Sequence, residues 1–514
     1  MRRVLRVIAA LAVLAAAAVV ALRLLFPLPD ISARPFDAAP APDPDAALVR
    51  AIAPHAPAEP GLSGVMPLRD GTDALASRLA LIRLAERTID AQYYIWSDDV
   101  SGMLLLGALR DAAERGVRVR LLLDDNGVPG LDGHLSALNA MDGFEVRLFN
   151  PSTVRRPKAL GYAFDFLRMN RRMHNKAMLA DGAAAIVGGR NIGDEYFAVG
   201  DLFYVDLDVL GVGAVVADTQ AVFDAYWNAG SVHALETIVD EPGGLAALEA
   251  RVAAVRGGEE ARALRPELAS SAERLAAGTA EIEWTRVTVV ADDPIKGEGV
   301  AARDQLMIAR LTGILGGIER RLDLVSAYFV PGERGTEIFA GLAASGRDVS
   351  ILTNALDMTD VPLVHSGYAR YRRELLEAGV DLYELKLRGG PTRDHARGTG
   401  PFGLSGASLH AKTFSVDGAR VFIGSFNFDP RSALLNCEMG FLIESPSLAG
   451  AVGRHFEETV PLVSYRPELT GNGAMVWREV TEAGGALHAV EPGSSWSRRL
   501  ALAILGALPI EWML

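Results

Sequence analysis

His174-Asn-Lys176-Ala-Met-Leu-Ala-Asp181-Gly182 and His410-Ala-Lys412-Thr-Phe-Ser-Val-Asp417-Gly418 are two copies of one pattern, H-x-K-x4-D, set 236 residues apart. His and Lys stand two apart, so in an extended chain both side chains project from one face. The short apolar runs Met173 to Ala180 and Leu409 to Val416 each end in Asp-Gly, a two-residue hairpin signal, and the return strands are expected over 183–188 and 419–424. The pattern therefore predicts two β-hairpins, each presenting an imidazole and an ammonium group.

Two such pairs suit a phosphodiester. One imidazole can attack phosphorus, and the other can protonate the leaving alkoxide and later take a proton from the incoming alcohol or water. Lys176 and Lys412 would offset charge on the equatorial oxygens. Gly188-Gly189-Arg190-Asn191 and Gly424-Ser425-Phe426-Asn427 follow the return strands. Glycine there lets the backbone approach a ligand, and Asn191, Ser425 and Asn427 can donate hydrogen bonds to an anionic oxygen. Asp181 and Asp417 belong to the repeated pattern, but an Asp in an Asp-Gly turn more often serves the turn than the chemistry. Aligning the halves sets Asp206 opposite Glu438, both in apolar strand-like runs. Each is a candidate to orient an imidazole through its second N–H, or to form a structural salt bridge. No metal or cofactor is needed for this chemistry.

The surrounding chain repeats as well. The strand Ile89 to Trp96, a helix to Arg115 and the strand Val117 to Asp124 match the strand Leu322 to Val330, a helix to about Ser345 and the strand Val349 to Asn354. The run Gly143 to Phe149 matches Gly379 to Leu385. The alternation predicts an α/β chain of two pseudo-symmetric halves, each a mostly parallel sheet flanked by helices, with one active site at the seam. The expected boundaries are 1–26 for a signal anchor or signal peptide, 27–62 for a Pro/Ala-rich linker, 63–234 for the first half, 235–282 for a helical linker bridging the halves, 283–470 for the second half and 471–514 for a docking or membrane-proximal tail.

The duplicated motif followed by Gly-Gly/Ser-x-Asn resembles the phospholipase D superfamily over roughly residues 65–465. That resemblance implies a metal-free phospho-histidine mechanism with one His from each half. His174 is then the expected nucleophile and His410 the general acid/base, the reverse assignment staying open. Asn427-Phe-Asp429-Pro-Arg431-Ser432 and Asn436-Cys437-Glu438 are similar to bacterial cardiolipin synthases. Leu352-Thr-Asn354, Val364-His365-Ser-Gly367-Tyr368, Leu382-Tyr-Glu384-Leu385, Glu491 to Trp496 and Leu508-Pro509-Ile-Glu511 are similar to their C type. The likeness implies transfer of a phosphatidyl group from phosphatidylethanolamine or phosphatidylglycerol to phosphatidylglycerol, at a membrane.

A net charge of −13 argues against a general nuclease, which needs a basic surface, so no nucleic-acid partner is expected. The single Cys437 excludes an intramolecular disulfide. Arg2, Arg3 and Arg6 precede the uncharged run Val7 to Leu22, which fits a signal anchor or a secretory signal. Either places the catalytic body on the periplasmic side of a bacterial inner membrane. The segment Arg155-Arg156-Pro-Lys158 with Leu160, Tyr162, Phe164, Phe166, Leu167, Arg168, Arg171 and Arg172 reads as a lipid entrance beside His174, or as a loop covering the sheet. The rival activities are hydrolysis to phosphatidic acid, a tethered phosphodiesterase or nuclease, and a non-catalytic lipid-binding scaffold. A helper protein is left open.

Overall fold

In the computed structural model, residues 2–200, 203–241, 243–276, 282–359, 361–386, 408–481, 484–506 and 510–514 are described. Leu508 and Pro509 of the C-terminal tail lie outside them. Each half is built on a sheet with the same strand order. In the first half Ser63–Leu68, Asp208–Gly213, Ala184–Gly188, Ala177–Ala180, Thr88–Tyr93, Arg118–Asp124, Phe144–Phe149 and Val232–Ala234 run from edge to edge. In the second half the order is Val287–Ala291, Met439–Ile443, Arg420–Gly424, Lys412–Val416, Arg321–Ser326, Asp348–Asn354, Asp381–Leu385 and Ser464–Leu469. The first sheet adds Glu283–Thr285 at one edge, and the second adds Met475–Thr481 and Gly484–His488 at the other.

The parallel pairing expected from the strand–helix alternation is concentrated in three neighbours per half, Thr88–Tyr93 with Arg118–Asp124 and Phe144–Phe149, and Arg321–Ser326 with Asp348–Asn354 and Asp381–Leu385. The other pairs within these two sheets are antiparallel, those of the repeated hairpins because each returns without a crossover helix. Each sheet is mixed rather than mostly parallel.

The hairpins form where the Asp-Gly signals stand. Asp181 and Gly182 take φ of 53° and 60°, and Asp417 and Gly418 take 57° and 66°. This left-handed backbone suits the strand twist. The loops hold three residues, since Ala180 pairs with Ala184 and Val416 with Arg420. The strands also begin later than the apolar runs suggest, at Ala177 and Lys412. The reason lies at the seam, where the preceding residues pair with the other half. Met173 bridges to Cys437, with His174 N–H donating to Cys437 O at 2.8 Å. Ser408–Leu409 pairs in parallel with Tyr204–Val205, and His410 N–H donates to Val205 O at 2.8 Å.

A core shared by both halves fills this seam, with Met173, Leu179 and Val205 packed among Leu409, Cys437 and Met439. The helices Leu245–Gly257 and Glu259–Ala276 pack on the first half, burying Leu248, Val252, Ala261 and Leu264 into its core, rather than bridging the halves. The proline-rich segment is pinned to the same half: Arg34 donates to Asn228 O and Ala229 O, and Asp37 accepts from Arg118 and Trp227. The tail docks through Arg431, which donates to Met513 O, and through Glu511, which accepts from Arg370 and Tyr371.

Candidate active site

The seam brings both imidazoles against carboxylates, and the pairing is crossed. His174 Nδ1 lies 2.8 Å from Glu438 Oε2 of the second half, and His410 Nδ1 lies 2.5 Å from Asp206 Oδ2 of the first. The backbone pairing explains the crossing: Cys437 precedes Glu438 and Val205 precedes Asp206, so each bridge delivers a carboxylate to the imidazole beside it. With Nδ1 engaged, Nε2 of each ring is the nitrogen left for chemistry. Lys176 Nζ donates to His174 O at 2.7 Å; Lys412 Nζ donates to His410 O and lies 2.9 Å from His410 Nδ1.

All of these groups are buried. Burial, reinforced by Lys176 and Lys412, holds His174 well below its ordinary pKa. Burial and Lys412 push His410 down to about 4. Each imidazole thus feels the lysine of the other half. The carboxylates diverge. Burial opposes ionisation of Asp206, but His410, Lys412 and Arg190 hold it well below the usual carboxylate range. Burial pushes Glu438 up to about 7 against the pull of Lys176.

Ser425 and Ser432 donate to Glu438 Oε2 and Oε1 at 2.5 and 2.9 Å, and Glu438 N–H donates to Asp292 Oδ2 at 2.9 Å. Asp292 also accepts from Lys296. Ser425 therefore positions Glu438 instead of pointing its hydroxyl at a phosphate. Gly189 holds the equivalent place in the first half, where Asp206 leaves no room for a Cβ. Asn191 spends one amide N–H on Tyr196 and accepts from Ile95 N–H. Asn427 is buried, and its Oδ1 has no hydrogen-bond partner among the described residues.

The comparisons with known proteins agree with this geometry. Residues 79–227 and 314–460 match the family "Cardiolipin synthase, PLD-like domain". The chain is 45% identical over 476 residues to Cardiolipin synthase C of Escherichia coli K12, covering 91% of this chain and 99% of that one. The chain belongs to the cardiolipin synthase family. A Geobacillus kaustophilus cardiolipin synthase is 30% identical over 397 residues, 76% of this chain and 65% of that one. The solved phosphatidylserine synthase of Haemophilus influenzae shares the fold, with a TM-score of 0.52 and 13% identity over 78% of this chain and 87% of that one.

Asp181 and Asp417 sit at the far ends of their strands from the imidazoles. Asp181 accepts from the backbone N–H groups of Glu86, Arg87 and Thr88, and Asp417 from those of Glu319, Arg320 and Arg321. The carboxylates tie each turn to the start of a central strand, and this geometry supports a structural role for both.

Three aromatic residues escaped the reading of the sequence. Tyr94 meets His174 edge-on at 5.2 Å; Tyr204 stacks on His410 at 5.3 Å, and Tyr196 meets it edge-on at 5.1 Å. The position of Tyr204, two residues before Asp206, was a usable signal, since both face one way in an extended chain. Tyr196 is recognisable only through the fold.

The proposed lipid entrance also changes. The segment Gly161–Met169 is helical with a kink at Asp165, where φ is −134° and ψ 37°, but Phe164 is buried against Phe26. Arg155 pairs with Asp125 and Asp132, Arg168 with Asp165, and Arg172 with Asp124. These arginines are neutralised within the half, so they do not form an open phosphate-binding row.

Proposed function

We propose that this protein is a phosphatidyltransferase that makes cardiolipin, taking a phosphatidyl group from phosphatidylethanolamine or phosphatidylglycerol and passing it to phosphatidylglycerol. The crossed imidazole–carboxylate pairs at one seam carry this reading. His174 Nε2 attacks phosphorus, and the bond from phosphorus to the headgroup oxygen breaks. The bound phosphate anion offsets the burial and the lysines that keep His410 neutral, so its Nε2 takes up a proton and gives it to the leaving alkoxide, which departs as ethanolamine or glycerol. Neutral His410 then takes the proton of a phosphatidylglycerol hydroxyl whose oxygen attacks phosphorus and frees His174. Lys176 and Lys412 stand where they can offset charge on the phosphoryl oxygens.

Family likeness, the apolar N-terminal helix and an acidic chain favour a bilayer substrate over nucleic acid. In our reading the helix Arg2–Leu25 anchors the protein in the inner membrane. Its leading arginines stay cytoplasmic, and the catalytic body is periplasmic. The deciding experiment supplies purified protein with vesicles of phosphatidylethanolamine and excess phosphatidylglycerol and follows lipids by mass spectrometry. Cardiolipin with released ethanolamine or glycerol is expected; phosphatidic acid as sole product would overturn the transfer reading.

A further inference from the structure

We propose that the helix Gly161–Met169 is a membrane-docking element, held by the end of the N-terminal helix so that the mouth of the active site rests on the bilayer surface. The N-terminal helix Arg2–Leu25 is 24 residues long, about 36 Å at 1.5 Å per residue, and buries none of them in the protein. That length exceeds the roughly 30 Å hydrocarbon core of a bilayer. Its last turn is attached to the body beside this helix. Arg23 Nε donates to Phe164 O at 2.9 Å, its Nη2 lies 3.3 Å from Asp165 Oδ1, and the Phe26 ring stacks on Phe164 at 6.1 Å. A helix that leaves the membrane here sets Gly161–Met169 at the headgroup level.

The side chains this places against lipid suit it. Leu160, Phe166 and Leu167 are 43, 40 and 63% exposed, although they are large and apolar. Asp165 accepts from both Arg23 and Arg168, so one carboxylate offsets part of the charge of two guanidinium groups and leaves a net positive charge at the level of the lipid phosphates. An apolar face of this kind, continuous with a spanning helix, fits a phospholipid bilayer. The helix is also tied to the chemistry. Asn170, at its end, accepts from Arg431 of the second half, while Asp124 holds both Arg172 and the N–H of Met173, the residue before His174. This inference rests on the lipid-substrate reading and gives it a route: a headgroup reaches the imidazoles from the surface without the lipid leaving the bilayer.

Cys437, the chain's one cysteine, is fully buried, so Leu167→Cys supplies a single exposed thiol for an environment-sensitive fluorophore. Ala419→Cys, in the hairpin turn far from His410, is the control. In proteoliposomes of phosphatidylethanolamine and phosphatidylglycerol, the label at 167 should be quenched by spin labels on the lipid chains and shielded from iodide, with the reverse at 419. Equal iodide quenching at both positions overturns the proposal. In the full chain, Leu160→Ser, Phe166→Ser and Leu167→Ser combined should lower transfer on vesicles about tenfold or more, and turnover of a dispersed short-chain phosphatidylglycerol less than about twofold. Equal losses on both substrates also overturn it. Lipid-side quenching with phosphatidic acid as sole product supports docking and overturns the transfer reading instead.

Discussion

Asp206 and Glu438 hold equivalent imidazoles but differ electrostatically. Asp206 faces His410, Lys412 and Arg190 and stays ionised, whereas burial pushes Glu438 up to about 7 against the opposing pull of Lys176 and the Ser425 and Ser432 hydroxyls. The consequence for stability has a definite sign. Between the ordinary value of 4.5 and about 7, Glu438 is ionised in the unfolded chain and protonated in the folded one. The folded state binds the extra proton, so this group's contribution to stability is full below 4.5 and is lost as pH rises through that window. Glu438→Gln should flatten the fall in thermal midpoint over that range and reduce transfer by about 10²-fold or more. An unchanged pH slope would show that Glu438 does not titrate there. Each imidazole is expected to be indispensable: His174→Ala or His410→Ala should lower turnover by about 10⁴-fold or more, measured as lipid product per folded enzyme. The candidate nucleophile and base were legible residue by residue, because a repeated H-x-K pattern needs no neighbours to be recognised. The aromatic residues around the rings were not, since nothing local distinguishes Tyr196 from any other buried tyrosine.

At the level of single elements, the two hairpins and the helix Gly161–Met169 show what local chemistry decides. The Asp-Gly signals located both turns, and the left-handed φ of Asp181 and Asp417 is their physical basis. Asp181→Ala removes the acceptor for three backbone N–H groups and should destabilise the fold by about 1–3 kcal/mol. Turnover per folded molecule should stay within about threefold, since the carboxylate does not reach the imidazoles. A loss of turnover above 10²-fold at unchanged stability would return Asp181 to the chemistry. The helix divides its aromatic residues in a way the pattern did not reveal, with Phe164 inward against Phe26 and Phe166 outward. Phe164→Ala should therefore lower the unfolding free energy by about 3 kcal/mol, a core loss, while Phe166→Ala changes it by about 0.5 kcal/mol or less. Denaturant titration of the two variants separates the cases. The strand starts moved for a similar reason: Met173 and Leu409 look like hairpin residues locally but take partners across the seam.

Across the whole molecule, the halves are interdependent because each imidazole takes its carboxylate from the other half. Both rings of the site come from one chain, so mixing His174→Ala and His410→Ala proteins should restore no more transfer than either alone. Recovery of activity on mixing would show that the site is assembled between chains. The sequence by itself determined the duplication, the chemical identity of the paired groups, the α/β halves and the apolar N-terminal helix, because each is written in local spacing, turn chemistry or hydrophobic run length. Only the tertiary structure decided which carboxylate serves which imidazole, which arginines are already neutralised, and where the anchor meets the body. Those relations join residues far apart in the chain, and they are set by how two sheets share one buried seam.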